Sequence, residues 1–360
     1  MNFFEHQDQA RRNSGWLVVL FSIAVLLLIA ITNVFIAFTL YFFNNEAGNT
    51  VSIHGGGAFN IGHYLSWGLL GWTSTIVVGT IACVMVFKWA QLSGGGKRVA
   101  ESLGGRRIAP NTTDSDEKRV LNVVEEMAIA AGLPVPPVYL LPDEAGINAF
   151  AAGLSPADAV IGITRGAIQT FDREQLQGVV AHEFSHILNG DMRLNIRLIA
   201  VLAGILFIGQ VGEFCLRGSR HGSRRSSGFA LVGLGLVIIG LLGTFFGNLI
   251  KAAVSRQREF LADASAVQYT RNPNGISGAL QLIGGYSAGS RVEHSHAEEM
   301  SHLFFGQAIS NLTSFFATHP PLAERIRRVD PSWNGDFPKR NASDGPQRSP
   351  WKEQLRGFAP

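Results

Sequence analysis

Cysteine and charge are both scarce in this sequence. Its 360 residues include only two cysteines, Cys83 and Cys215, so neither a disulfide framework nor a cysteine-based zinc cluster can be built. Only 16% of the residues are charged, whereas 46% are hydrophobic, which excludes a pair of ordinary soluble domains. The net charge is a modest +3, and because the basic residues lie beside apolar runs, we expect no nucleic-acid partner.

Two long apolar runs lie in the first quarter of the chain. Leu17 to Phe43 and Leu65 to Phe87 are each long enough to cross a lipid bilayer as a helix. Basic residues flank the pair on its outer sides, whereas the Gly-rich connection 44–63 contains no lysine or arginine. By the positive-inside rule we expect 1–15 to be a polar cytoplasmic extension and 16–90 to be two transmembrane helices with an external loop.

A second pair of apolar runs, Leu198 to Gly212 and Phe229 to Leu249, lies further along the chain. The first is marginal for a full span because charged residues bound it, and the second is long enough. If both cross, their connection 217–225 lies outside although it is markedly basic, against the positive-inside rule. If neither crosses, the hydrophobic hairpin 194–254 is only membrane-associated. Both topologies stay open, and apolar length alone favours the spanning hairpin.

The remaining chain has the pattern of a folded α+β domain in two parts, 100–193 and 255–330. A helix is predicted from Asp114 to Ala131, with acidic residues in its first turn and a glycine after its end. Another begins at Asp172, with Gln175 placed for a capping box, and ends near Asn189. Short strands are predicted between these helices at Val138 to Leu141, Asn148 to Ala152 and Ala159 to Thr164.

The second of these helices carries the motif H-E-x-x-H at residues 182–186. Residues four apart lie on one helix face, so His182 and His186 can reach one metal ion. Glu183 is displaced to the side, where it can accept a proton from water whose pKa a bound zinc ion lowers towards about 7. This pattern indicates zinc-dependent hydrolysis with Glu183 as the general base, and two imidazoles with a carboxylate suit zinc best.

A catalytic zinc needs a third protein ligand. The metzincin arrangement would require a histidine at position 192, where this chain has Met192. Further along, Glu259 and Asp263 lie one helical turn apart, and we predict Glu259 as the ligand and Asp263 as a hydrogen-bond acceptor for a ligating imidazole. The alternative is that both belong to an ordinary charged helix face.

Four motifs together resemble the HtpX-type membrane proteases, whose wider family includes the CAAX prenyl proteases. They are H-E-x-x-H with Gly190-Asp191, the stretch Ser255 to Asp263, Thr318-His319-Pro320-Pro321-Leu322 with Arg325, and Asn148-Ala149-Phe150. The resemblance implies a mostly α, zincin-like (gluzincin) α+β metalloprotease domain attached to transmembrane helices.

The same resemblance implies roles for individual residues. Glu259 would be the third ligand of one zinc ion per chain, with Asp263 orienting a ligand. His319 would lie near the substrate carbonyl as an oxyanion stabiliser, and Asn148 would belong to an edge strand that pairs with substrate backbone. Ordinary structural roles remain open for both: His319 capping a turn and Asn148 beside one.

The resemblance also implies a biological setting. Protein substrates would be misfolded or damaged membrane proteins, handled from the cytoplasmic side of a bacterial plasma membrane. The polar N-terminal extension, the Gly-rich first loop and a tail at 331–360, which we expect to be disordered, depart from the usual pattern. The alternative function is a non-enzymatic membrane scaffold or holdase that keeps a protease fold.

Overall fold

The computed structural model describes residues 19, 22–23, 25–39, 66–92, 94–219, 226–287, 289–294, 303–306 and 317–339. Contacts divide the chain into two units: 1–14, 92–196 and 252–360 form one, and 15–91 with 197–251 form the other. The predicted extension 1–15, the first external loop 44–63 and most of the basic connection lie outside the described residues.

The second unit is built from apolar helices. They are α1 (Val25–Thr39) and α2 (Trp67–Leu92), with the larger parts of α7 (Asp191–Ser219) and α8 (Ser226–Thr270). Among the described residues, α2, α7 and α8 are long and apolar enough to cross a membrane, whereas the described part of the first predicted span is a shorter helix. Gly209 faces Gly240, and Gly212 faces Gly233, so small residues allow α7 and α8 to approach closely.

Two helices are longer than their apolar runs. The run from Leu198 was expected to be marginal, but it lies within the 29-residue helix α7, and the second run continues as α8 for 45 residues through Ser255. Charged residues end an apolar run, but Arg and Glu are good helix formers, so they do not end the helix. The length of each apolar run therefore underestimated the length of the helix that contains it.

The first unit contains a four-stranded sheet with helices packed on it. The strands are β1 (Arg106–Arg107), β2 (Val138–Leu141), β3 (Ala149–Ala152) and β4 (Val160–Thr164), in the order β1-β2-β4-β3. β2 and β4 are parallel, whereas β3 runs antiparallel to β4 and is the edge strand of the sheet. The remaining elements are α3 (Gly95–Ser102), α4 (Ser115–Ala131), α5 (Arg165–Thr170), α6 (Arg173–Asn189), α9 (Pro273–Gly285) and α10 (Leu322–Val329).

The predicted helices and strands of this unit are confirmed to within one residue. Asp114 caps α4 with its side chain, and Gly132 ends it at φ 66°. Along the core, α6 packs on α4, α9 and β3, and its buried residues include Val179, Val180 and Phe184. The H-E-x-x-H motif therefore lies on a helix that packs against two helices and the sheet.

The described part of the predicted disordered tail differs from that prediction. Trp333 and Phe337 pack against the core, and the Trp333 Nε1 donates to the carbonyl of Asp336 at 2.9 Å. Gly284 and Gly285 make room, because a side chain at either would clash with Phe337 or Pro338. Composition suggested disorder, but two aromatic side chains are enough to hold this segment. Residues 340–360 lie outside the described part of the chain.

Candidate metal centre

Helix α6 is fixed at both ends by its own sequence. Asp172 accepts from the backbone of Gln175 while the Gln175 side chain accepts from the backbone of Asp172, which confirms the predicted capping box. At the other end Gly190 takes the left-handed conformation at φ 68°, which costs glycine little. These two caps fix where the helix begins and ends. His182 and His186 lie on one face of it.

Three side chains on α6 and α8 converge. The Nε2 atoms of His182 and His186 lie 3.1 Å apart. Glu259 places Oε1 at 3.5 Å from Nε2 of His186 and Oε2 at 3.8 Å from Nε2 of His182. The structure thus brings together the three predicted ligands, with one donor atom of each within 4.8 Å of the others.

The spacing of this group fits a tetrahedral metal ion. Two nitrogens at about 2.05 Å from zinc, with a tetrahedral angle between them, are about 3.3 Å apart. The observed 3.1 Å between Nε2 of His182 and Nε2 of His186 is close to that separation. Each ring turns its Nδ1 towards a carboxylate, so the Nε2 atoms of the two rings face each other and are the atoms available to a metal ion.

A carboxylate lies beside Nδ1 of each imidazole. Oδ1 of Asp263, which the sequence singled out as an acceptor for a ligating imidazole, lies 3.0 Å from Nδ1 of His182. Oδ2 of Asp191 lies 2.8 Å from Nδ1 of His186, and Asp191 also contacts Arg258. The sequence reasoning assigned no role to Asp191; its signal was an acidic residue directly after the glycine that ends the motif helix.

Arg325 was also missed as a functional residue, although its motif was noticed. Its guanidinium is completely buried and donates to both oxygens of Asp263, at 2.8 and 2.7 Å. The same group lies 3.0 Å from Glu259. The two neighbouring carboxylates raise the pKa of Arg325 despite burial, so it remains charged. Arg325 therefore holds Glu259 and Asp263 in their relative positions.

Glu183 is buried beside this group. Burial raises the pKa of its carboxyl to about 8. Neither carboxylate oxygen has a hydrogen-bond partner among the described residues. Burial also lowers the pKa of His182 to about 4, so this imidazole is neutral at pH 7, as a metal ligand must be. A buried carboxyl with two unpaired oxygens next to a ligand group is suited to exchanging protons with water.

His319 joins the group from the loop before α10. Its Nδ1 lies 2.9 Å from Oε2 of Glu259, and the side chain is buried. Arg256 holds the preceding segment by donating to the carbonyl of Ala317 at 2.9 Å. The structure thus brings His319 to the predicted site, in contact with Glu259.

Asn148 lies one residue before β3, and its side chain is fully buried. Its amide is engaged by the chain itself, donating to the carbonyls of Ser290 at 2.7 Å and Gly306 at 3.2 Å. Asn148 directly precedes the edge strand β3, and the pairing of this strand with substrate stays a prediction. A cleft beside the metal-ligand group is lined by other residues, among them Ala151, His186, Glu259 and Leu303.

Comparisons with known proteins show which family the chain resembles. The family model described as "Peptidase family M48" matches residues 114–332. A protease HtpX homolog from Thermoanaerobacter pseudethanolicus is 37% identical over 283 residues, covering 75% of this chain and 89% of the relative. Another, from Caldanaerobacter subterraneus subsp. tengcongensis, is 35% identical over 279 residues with the same coverage.

Among solved structures, the chain is similar to Ste24p from S. mikatae. The TM-score is 0.41 at 16% sequence identity, and the match covers 72% of this chain and 64% of that one.

Proposed function

The chain belongs to peptidase family M48, and from this premise we propose that it is a membrane-bound, zinc-dependent endopeptidase. His182, His186 and Glu259 would hold one zinc ion per chain, and Glu183 would act as the general base. The single observation that carries the proposal is the pair of Nε2 atoms, of His182 and His186, facing each other at 3.1 Å beside Glu259.

The residues divide the chemistry among them. Zinc bound here would polarise the scissile carbonyl and lower the pKa of water. Glu183, adjacent and without a protein partner among the described residues, would take the proton from that water and pass it to the leaving amine. Asp263 and Asp191 would keep His182 and His186 in the tautomer that presents Nε2 to the metal.

His319 supports a further part of the proposal. Its buried ring adjoins Glu259, and its Nε2 has no hydrogen-bond partner among the described residues. A donor held in this way beside the metal ligands would stabilise negative charge on the substrate carbonyl oxygen. We therefore keep His319 as an oxyanion-stabilising residue.

Apolar helices support a role at a membrane. α2, α7 and α8 are each long and apolar enough to cross a bilayer, so substrates would be protein chains in or near the membrane, such as misfolded or damaged membrane proteins. Basic residues on the outer sides of the first two runs support a cytoplasmic N-terminus and protease unit. Since the relatives come from bacteria, the plasma membrane is the proposed location.

The test is chelator-sensitive cleavage of casein by purified, zinc-loaded protein in detergent. Glu183→Gln removes the base but none of the ligands, so it should keep its zinc and lose cleavage. Glu125→Gln, on the exposed face of α4, is the matched control and should cleave as the wild type does. Wild-type cleavage by Glu183→Gln would refute the mechanism, and a zinc-loaded wild type that does not cleave would favour a scaffold or holdase.

A further inference from the structure

The outer edge of β3 is covered by another part of the same chain. One side of β3 is paired with β4, and β3 ends the sheet there. On the other side, the backbone N–H of Phe305 donates to the carbonyl of Ala149 at 2.8 Å, and Phe304 forms an antiparallel bridge with Phe150. We call Leu303–Gly306 the edge segment. It adds one isolated antiparallel bridge to the edge of the sheet.

The buried amide of Asn148 holds the backbone of the edge segment. Its Oδ1 accepts from the N–H of Gly306 at 3.0 Å, and its Nδ2 donates to the carbonyl of Gly306 at 3.2 Å. Both bonds are made to main-chain atoms of residue 306. Hydrogen bonds from a side chain to main-chain atoms do not depend on the side chains of the bound peptide.

The edge segment also reaches the metal-ligand group. The Phe305 ring meets the His182 ring edge-on, with centroids 4.9 Å apart. Arg325, whose guanidinium lies 3.0 Å from Glu259, donates to the carbonyl of Phe305 at 2.9 Å. Leu303 lines the same cleft as His186 and Glu259. The segment therefore places its backbone beside the predicted catalytic group, where a charged donor holds it.

These contacts are those that a bound substrate needs. An extended peptide that adds to a sheet edge gains affinity from main-chain hydrogen bonds and specificity from side-chain pockets. One edge cannot pair with two peptides at once. We propose that the edge segment occupies the substrate-binding track and that a protein substrate must displace it before cleavage. This inference rests on the proposed function of the same site.

The side chains of the edge segment indicate which peptide sequences would fit in its place. Phe304 packs against the Phe150 ring, with centroids 5.4 Å apart, and Phe305 is buried against His182. At Gly306 an added Cβ would lie 2.7 Å from Cβ of Ser290. A peptide in this track is therefore expected to have two adjacent bulky apolar residues followed by glycine.

A reversible crosslink tests displacement. The Phe150 and Phe304 pair is of the non-hydrogen-bonded type, because the bond from Phe305 to Ala149 flanks it. Such pairs have Cα atoms about 4.5 Å apart, within the range a disulfide spans. The variant combines Phe150→Cys and Phe304→Cys with Cys83→Ala and Cys215→Ala, and is assayed oxidised and after reduction with a phosphine.

Two readouts are taken from the full-length, zinc-loaded variant in detergent. The first is casein cleavage, and the second is casein binding with Glu183→Gln added, where cleavage does not interfere. Displacement predicts that oxidation abolishes both and that reduction restores both. Equal cleavage and binding in the oxidised and reduced forms would overturn the inference, since the segment would then be a permanent strand. Phe304→Cys alone, in the same background, controls for the oxidant.

A second pair of variants tests the same inference without a crosslink. Gly306→Ala should push the edge segment away from Ser290 and raise kcat/KM on casein several-fold. Adding Ser290→Gly removes the clash and should return kcat/KM towards the wild-type value. Unchanged or lower kcat/KM in a folded Gly306→Ala variant contradicts the inference. The proposed function fails separately, if the zinc-loaded wild type shows no chelator-sensitive cleavage.

Discussion

Arg325 donates to both carboxylate oxygens of Asp263, at 2.8 and 2.7 Å, from a completely buried position. Oδ1 of Asp263 in turn lies 3.0 Å from Nδ1 of His182. A helix near the end of the described chain, α10, is thereby linked to the ligand on α6 through one residue of α8. The orientation of a predicted zinc ligand therefore depends on a charge pair 62 residues apart in sequence.

Removing this arginine should destabilise the protein. Arg325→Met leaves Asp263 and Glu259 buried without their cation, and breaking a buried pair typically costs about 3–5 kcal/mol. We expect a marked fall in the thermal midpoint of the zinc-free protein in detergent. Lys97→Met is the control, because the Lys97–Glu101 pair is exposed and should contribute at most about 1 kcal/mol. Equal midpoints for both variants would contradict the linkage described above.

Glu259→Gln should lower the zinc content of the purified protein. The substitution keeps the shape of the side chain but removes the negative charge that completes the group with His182 and His186. We expect metal analysis at limiting zinc to give clearly less than the one ion per chain expected of the wild type. Glu125→Gln, on exposed α4 surface, should retain wild-type zinc. Unchanged stoichiometry in Glu259→Gln would mean that another residue is the third ligand.

Asp191→Asn should weaken zinc binding by roughly 10- to 100-fold, the usual effect of losing an acceptor behind a ligating histidine. Its carboxylate lies 2.8 Å from Nδ1 of His186, and an amide favours that tautomer less. Competition with a zinc-sensitive dye measures the change. Asn189→Ala is a nearby control, because among the described residues the Asn189 side chain bonds within α6, to Ser185. A similar loss in both variants would point to a general effect on the end of α6.

Glu117 should make the stability of the folded protein depend on pH in the acid range. A hydrogen bond from Thr112, and then Arg106, lower the pKa of its carboxyl below the ordinary value of 4.5. A carboxyl with a lowered pKa in the folded state stabilises the protein above its unfolded pKa, and that contribution is lost as the pH falls through the folded value. Glu117→Gln should therefore cost about 1.5–3 kcal/mol near pH 7 and progressively less below about pH 4.5. Thermal midpoints across pH measure this, and a pH-independent difference would exclude the ionised carboxylate as its source.

Cysteine labelling can test whether the second pair of apolar runs crosses the membrane. A spanning hairpin places the basic connection outside the cell, so a cysteine at Ser223, with Cys83→Ala and Cys215→Ala, should react with an impermeant maleimide in intact cells. A cysteine at Asn13 should be protected, because the positive-inside rule places the N-terminus in the cytoplasm. Protection at Ser223 would instead indicate a membrane-associated pair.

The local structure around the site was predictable because short-range chemistry specifies it. The capping box of Asp172 and the left-handed Gly190 fix α6, and the i, i+4 spacing places His182 and His186 on one face. Three of the four motifs of the resemblance each contribute residues to one cluster: the motif helix, Glu259 with Asp263, and His319 with Arg325. The fourth, Asn148-Ala149-Phe150, lies at the start of the edge strand β3.

The sequence by itself determined the helices and strands of the first unit, the motif helix among them, because caps, periodicity and spacing act over a few residues. Only the tertiary structure decided which carboxylate serves which histidine, and that Arg325 holds Glu259 and Asp263 together. It also decided that Asn148 binds the backbone of Gly306. The contacts of Arg325 with Asp263 and of Asn148 with Gly306 join residues 62 and 158 positions apart, and no local preference specifies them; they follow from the packing of α6, α8 and β3 in one core.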